Sequence, residues 1–170
     1  MTKENTSIDK AKILEELAQR LRQKGETFLT SALDAQEEAT LADGANQSKS
    51  DTRKIEQSWL ADALGRRYAA TNASIERLQE IDPSTQKNED SPSITIGSLV
   101  CVEYEGQAEE AWFLLVPFKG GDTLESDDIR VKTISADSPI GQNILGKNMG
   151  DPVETMAGKR PINFTIQRVL

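Results

Sequence analysis

The sequence predicts an α+β chain: an antiparallel helical hairpin, of coiled-coil type, followed by a small antiparallel β domain with one short helix. Three observations carry this. No proline occurs before Pro83, and all six prolines (Pro83, Pro92, Pro117, Pro139, Pro152 and Pro161) fall from there on. Apolar residues of the first half recur at steps of three, four and seven, the spacing of a narrow helical stripe. Those of the second half come in short runs separated by Gly, Pro and Asp, as in strands and turns. The boundaries that follow are a hairpin over 1–82 with its tip at about 42–50, a linker over 83–93, and the β domain over 94–170.

The first helix carries Ile13, Leu14, Leu17, Leu21, Phe28, Leu29 and Leu33 as its apolar set. The second carries Ile55, Trp59, Leu64, Tyr68, Ile75 and Leu78. These residues, Trp59 and Tyr68 included, read first as packing residues of the two stripes. The segment ADGANQSKS over 42–50 breaks the period, and its Gly, Asn and Ser content marks a turn. Ser50 or Asp51 is the expected cap of the second helix. Two long helices joined by a short polar turn run antiparallel, and about 32 residues at about 1.5 Å each make arms of about 48 Å. Gly25 and Gly65 each weaken a helix interior by about 1 kcal/mol relative to Ala, so packing of one stripe on the other must offset them.

The linker DPSTQKNEDSP over 82–92 is polar and without periodicity. After it, a strand is expected across 94–104, a turn at 105–107, a strand at 111–118, a turn at Gly120, Gly121 and Asp122, and a strand across 128–134. Over 138–147 the signals change: Ser138 can cap, Pro139 suits the first helical position, Ile140, Ile144 and Leu145 share a face, and Gly146 ends the helix. Segments 152–154 and 161–169 close the sheet.

Composition narrows the functional classes. Hydrophobic residues are 36% of the 170, and 28 acidic against 20 basic residues give a net charge of −8. That balance is wrong for autonomous binding to a phosphate backbone, which needs clustered positive charge; a protein partner suits it better. There is no histidine, which excludes Ser–His–Asp and Cys–His catalysis and His-ligated zinc. The single cysteine, Cys101, excludes an intramolecular disulfide, and between Val100 and Val102 it reads as a strand residue rather than a nucleophile. The N-terminus is polar, with no signal-peptide pattern, and the longest apolar run, 111–116, is far short of a bilayer span. A cytoplasmic, non-membrane protein without enzymatic activity of its own is expected.

The second half resembles a known family. The run SPIG at 138–141, then ILGK at 144–147, then GDPV at 150–153, with IGSLV at 96–100 ahead of them, is similar to the C-terminal domain of the Gre (GreA/GreB) transcription elongation factors. The hairpin matches that family in outline. The resemblance implies an FKBP-like fold without isomerase activity. It also implies a bacterial partner, RNA polymerase: the C-terminal domain docks at the rim of the secondary channel while the hairpin enters it. An acidic tip then helps hold a second Mg²⁺, shared with the polymerase active centre, so that the enzyme cleaves its own backtracked transcript. On this resemblance the docking region is Ser138, Pro139, Gly141 and Lys147.

The tip departs from the family pattern, which has an Asp followed three residues later by a Glu. Aligned on the second helix, Asp43 takes the Asp position and the neutral Asn46 takes the Glu position; Asp51 is the next carboxylate. Asp43 reads either as a turn residue or as a lone metal-facing carboxylate. The expectation is a monomeric Gre-like factor that binds RNA polymerase and modulates elongation, with transcript cleavage as a variant of that role. The alternative is a peptide-binding or assembly module whose hairpin is a dimerisation element.

Overall fold

The computed structural model describes residues 8–41, 47–84, 93–106, 110–126 and 129–170, the side chains of 47–50 and 157 excepted. In chain order these residues form α1 (Lys10–Leu41), α2 (Gln47–Gln79), β1 (Leu99–Tyr104), β2 (Glu110–Val116), β3 (Thr123–Ser126), β4 (Ile129–Ser135), α3 (Pro139–Ile144), β5 (Pro152–Ala157) and β6 (Arg160–Val169). The chain divides into two compact units, Ala18–Glu76 and a second one made of Met1–Leu17 with Arg77–Leu170. The second unit therefore takes in the base of both long helices as well as the sheet.

Within Ala18–Glu76 the two helices are antiparallel, because their partners descend in number. Gly25 lies against Tyr68 and Thr71, Phe28 under the Arg67 guanidinium at 5.9 Å, and Glu38 accepts from Gln57 Nε2 at 2.9 Å. Gln57, Ala61, Leu64, Tyr68, Thr71, Ile75 and Leu78 of α2 are covered and alternate at four and three, the a/d seam of a coiled coil, with Ala63, Gly65, Asn72 and Ser74 half-buried beside them. On α1 the buried residues Leu21, Gly25, Ala35 and Ala39 lie on the corresponding face.

This corrects the expected stripes in part. Trp59 is 71% exposed and Ile55 51%. They sit two residues out of phase with the seam, about 200° around the helix, and so on its far side. Leu29 and Leu33 are also exposed; small residues take the inner positions instead, and at Gly25 the facing chain comes close enough that a Cβ would sit 3.6 Å from the Thr71 methyl. The second helix also begins earlier than expected, at Gln47. Ser50 and Asp51 thus lie inside it and do not cap it.

In the other unit the six strands form one sheet in the order β3-β4-β2-β1-β6-β5. Every pairing is antiparallel except β2 with β4, which is parallel with Leu114 opposite Thr133. The sheet is therefore mixed rather than wholly antiparallel. The connection 117–122 leaves β2, passes one strand position, and returns as β3; β4 then folds back into the gap. β3 itself was not expected from the sequence.

Both faces of the central strands are buried. Val100, Val102, Phe113, Leu115, Ile134, Phe164 and Ile166 form a cluster on one face, closed by Ile144 of α3 and by Ile94 and Val153. Leu99, Cys101, Trp112, Leu114 and Val116 point to the other face and are equally buried. Each large aliphatic side chain so covered contributes about 1.5–3 kcal/mol. The helix bases are tied to the sheet unit: Arg77 Nη1 donates to the Pro117 carbonyl at 2.9 Å, Lys10 Nζ to that of Leu170 at 3.3 Å, and Ile13 and Leu17 are fully buried. Gly97, at φ 89°, has no room for a Cβ, which would meet the Ile81 side chain at 2.6 Å. Past α2, the Asp82 carboxylate accepts from the Ser84 hydroxyl and N–H, and these bonds hold its pKa below the usual carboxylate value.

Candidate functional site

The motif residues build one short structure, α3 and the turns on either side of it. Ser138 is the N-cap of α3, with extended backbone (φ −73°, ψ 157°). Its hydroxyl accepts from the Gly141 N–H at 3.1 Å and donates to the Ser135 carbonyl at 2.7 Å, so both roles of that group are spent on the fold. Pro139 occupies the first turn, where a missing N–H costs nothing. Gly141 is buried: a Cβ there would come within 2.1 Å of the Ser135 carbonyl oxygen and 2.9 Å of Ala136 Cα. Its place in SPIG follows from that close backbone approach, and it offers no surface to a partner.

The far end is equally determined. Gly146, at φ 77°, donates to the Ile94 carbonyl at 2.8 Å, and Ile94 N–H donates to the Lys147 carbonyl at 2.8 Å. The chain therefore leaves the helix in a left-handed turn stitched to the segment before β1. Gly150 N–H then donates to Ile166, and Ile166 N–H to Asp151, which guides the chain into β5. The Asp151 carboxylate accepts from the Asn148 N–H at 2.8 Å.

Sequence reasoning missed a clamp across α3. Asn143 Nδ2 donates to the Pro139 carbonyl at 2.7 Å and to Thr155 Oγ1 at 3.2 Å, while Thr155 Oγ1 also reaches Pro139 O at 3.3 Å. Thr155 is buried, so this pair holds the helix on β5 by polar contacts. A Thr two residues from Val153, on the side of β5 that faces α3, was the available signal. Leu145, expected on the buried face with Ile140 and Ile144, is 46% exposed; Ile144 is fully buried. The cap carbonyl geometry turns the chain at Leu145 (φ −57°, ψ 129°), out of helical phase with Ile144. The surface left around α3 consequently includes Asp137, Pro139, Gln142, Leu145 and Met149, all exposed.

Ser138, Pro139 and Gly141 are thus brought together on one turn, with Lys147 half-buried just past its end. Of the tip residues, Asp43 and Asn46 lie outside the described residues. Asp51 is exposed on α2, in the other compact unit. Among the described residues no group of three or more acidic or Cys side chains is arranged to hold a metal ion, and no helix is long and apolar enough to cross a membrane.

Cys101 sits opposite Trp112 in the sheet. Its thiol lies 3.5 Å from Glu110 Oε2, which also accepts from Arg168 Nη2 at 3.2 Å; the Arg168 guanidinium stacks 4.8 Å over the Trp112 ring. Burial first, and then the Glu110 charge, push the thiol up to about 12. A thiol held protonated in this way is no nucleophile at neutral pH.

Comparison with known proteins agrees with this construction. Residues 89–170 match the family model described as "Transcription elongation factor, GreA/GreB, C-term". The chain is 25% identical over 130 residues to transcription elongation factor GreA of Thermotoga petrophila, across 76% of this chain and 74% of that one. It is 26% identical over 144 residues to GreA of Thermotoga neapolitana, across 84% and 83%. Among solved structures it is similar to GreA factor homolog 1 (Gfh1) of Thermus thermophilus at 21% identity, covering 90% of this chain and 94% of that one, with a TM-score of 0.40. The SPIG–ILGK–GD framework lies inside the segment 89–170 that matches the GreA/GreB C-terminal family, and the chain as a whole is similar to GreA across hairpin and sheet together.

Proposed function

We propose that this protein binds bacterial RNA polymerase at the secondary channel, docking through the surface around α3, and modulates elongation from there with its hairpin. The observation that carries the reading is the family match across the whole sheet domain, with a coiled-coil hairpin on the same chain. At about 1.5 Å per residue each helix is about 48 Å long, enough to reach through a channel of protein dimensions. Docking falls to the exposed rim, Pro139 with Asp137 and Leu145. Ser138 and Gly141 shape that rim, and Lys147 stands at its end.

The tip acts mainly by occupancy. Asp43 contributes one carboxylate toward an Mg²⁺ shared with the polymerase. At Asn46 the amide oxygen is neutral, a weaker ligand for a hard cation. The chemistry such an ion supplies is activation of a water for attack on the transcript phosphodiester, and it belongs to the polymerase; the factor has no catalytic centre of its own. It works as a monomer in the cytoplasm, without nucleic-acid binding outside the complex.

The test is transcription by purified polymerase with backtracked complexes, with and without the factor, and with Asp43→Asn. The reading predicts a change in elongation or pausing with little transcript cleavage. Polymerase that responds to the factor in neither respect overturns it. Strong cleavage that Asp43→Asn abolishes moves the tip from occupancy to metal binding.

A further inference from the structure

The seam that α2 turns toward α1 is not its only one. Ile55, Trp59, Asp62, Arg66, Ala69 and Ala73 also alternate at four and three. Each precedes a residue of the inner seam by two positions, about 200° around the helix, so this second stripe runs along the side of α2 away from α1. All six residues are exposed, Trp59 at 71%. A helix side that faces only water has no use for a coiled-coil period. A Trp and an Ile kept in register with two alanines over that length make an interaction seam rather than scattered apolar surface.

The stripe is complementary to itself when reversed. Laid antiparallel on a second copy, with the two-fold axis level with residue 64, Asp62 faces Arg66, Trp59 faces Ala69 and Ile55 faces Ala73. Every layer then joins an a position to a d position, as an antiparallel coiled coil requires, and the patch is the same on both copies. Large side chains meet small ones, and opposite charges meet twice. In parallel, the same stripe would set Asp62 on Asp62, Trp59 on Trp59 and Arg66 on Arg66. Within one chain Asp62 and Arg66 approach only to 4.0 Å, with side chains 77% and 75% exposed. Such a loose i,i+4 pair is readily given up to a partner's charges.

We propose that the outer face of α2 is a docking surface for a second copy of this chain, which pairs with it antiparallel in a weak, reversible dimer. The occupant is a copy because one stripe supplies both halves of the match in size and in charge. The contact runs over 55–73, about 28 Å of one helix from each copy at about 1.5 Å per residue. That places it at the small end of specific interfaces. The monomer therefore predominates at low micromolar concentration, and the pair forms at about 0.1 mM and above. Pairing covers one side of the hairpin, so a paired chain is withdrawn from any partner that must enclose it. The pairing goes beyond the function proposed above and does not depend on it.

The experiment is sedimentation velocity of the full chain from about 5 µM to about 0.5 mM, at about 0.05 M salt so that charges are little screened. It compares wild type with Trp59→Ser, Ala69→Glu, Asp62→Arg, Arg66→Asp and an equimolar mixture of the last two. Asp34→Arg, exposed on α1, is the net-charge control. Every substituted position is exposed, so the variants fold, which a thermal melt at low concentration verifies. Wild type is expected to shift from monomer to dimer across the range. Trp59→Ser and Ala69→Glu raise the dissociation constant about tenfold or more, by removing the anchor or filling its seat with a carboxylate. Asp62→Arg and Arg66→Asp each raise it about fivefold or more, because each sets like charges together twice. Their mixture returns to wild-type association or tighter, because opposite charges face each other again. Wild type that stays monomeric to the top of the range overturns the inference. So does association that Trp59→Ser and Ala69→Glu leave unchanged, or a mixture that associates no better than its components. An equal loss in Asp34→Arg also overturns it, because net charge alone then explains the effect. Polymerase docking stands or falls separately, on its own binding measurement.

Discussion

Gly141→Ala is expected to be among the most damaging single-methyl additions in the chain. The new Cβ would sit 2.1 Å from the Ser135 carbonyl oxygen and about 3 Å from two atoms of Ala136, all of them backbone. No side-chain rotation relieves such contacts, so α3 must move about 1 Å away from the turn before it in an interior that is close-packed. That shift stretches the Ser138 cap, worth about 1 kcal/mol. It also lifts Ile144 out of a fully buried site, where complete truncation to Ala would cost about 2–5 kcal/mol. With a typical overpacking cost of about 1–3 kcal/mol, a loss of about 3–4 kcal/mol follows, or a fall in Tm of roughly 6–16 °C for a chain of this size. Gly146→Ala in the same motif is the control. It has φ 77° but open space around it, so only the left-handed backbone penalty of about 1–2 kcal/mol applies. Urea unfolding followed by fluorescence of the buried Trp112, in a Trp59→Phe background, measures both. A Gly141→Ala variant within about 1 kcal/mol of wild type, or no worse than Gly146→Ala, would refute the close-approach argument.

Ile144→Ala is expected to lose about 2–5 kcal/mol while its neighbour Leu145→Ala stays within about 0.5 kcal/mol, since one is fully buried and the other 46% exposed; the same unfolding curves decide. Trp59→Ser leaves stability unchanged to about 0.5 kcal/mol because the ring lies off the helix seam, and a loss of about 2 kcal/mol or more would show that the ring is packed. Cys101 is expected to resist alkylation at pH 8 in the folded protein and to react promptly in urea, as its folded pKa of about 12 implies. Ionisation is favoured in the unfolded chain, so the stability this thiol supplies is whole below 9.0 and is lost as pH climbs toward about 12. Cys101→Ala should flatten that part of the pH profile, and an identical slope in both proteins would count against the assignment.

The parts of this fold that the sequence announced are those set by local chemistry. A Ser cap, a Pro in the first turn and a Gly at the left-handed exit specify α3 within ten residues, and they are the motif by which the family is recognised. The hairpin was legible from the absence of proline and the helical period. The exposed Trp59 and Ile55 were misread because bulk outweighed phase: the seam runs through the polar Gln57 and Thr71 and the small Ala61, and small residues on α1 favour close approach over bulk. β3 was missed because its four residues bury only Leu124, too little for a period-two pattern. The parallel pairing of β2 with β4 depends on a strand inserted between two others, a non-local decision that alternation within a strand does not encode. At the site, the Asn143–Thr155 clamp joins residues of two elements, which no pattern within either one encodes. Asp43 and Asn46 were named from the family's spacing alone, and they fall outside the described residues.

Affinity for purified core RNA polymerase, measured for the full chain and for a chain lacking 41–51, tests the central claim most directly. The account predicts binding at low micromolar concentration or tighter for both, with the effect on transcription lost in the shortened chain, because docking belongs to the sheet domain and action to the tip. No binding of the full chain at low micromolar concentration and modest salt would contradict it, and a stable dimer through the hairpin under the same conditions would turn the reading toward an assembly module.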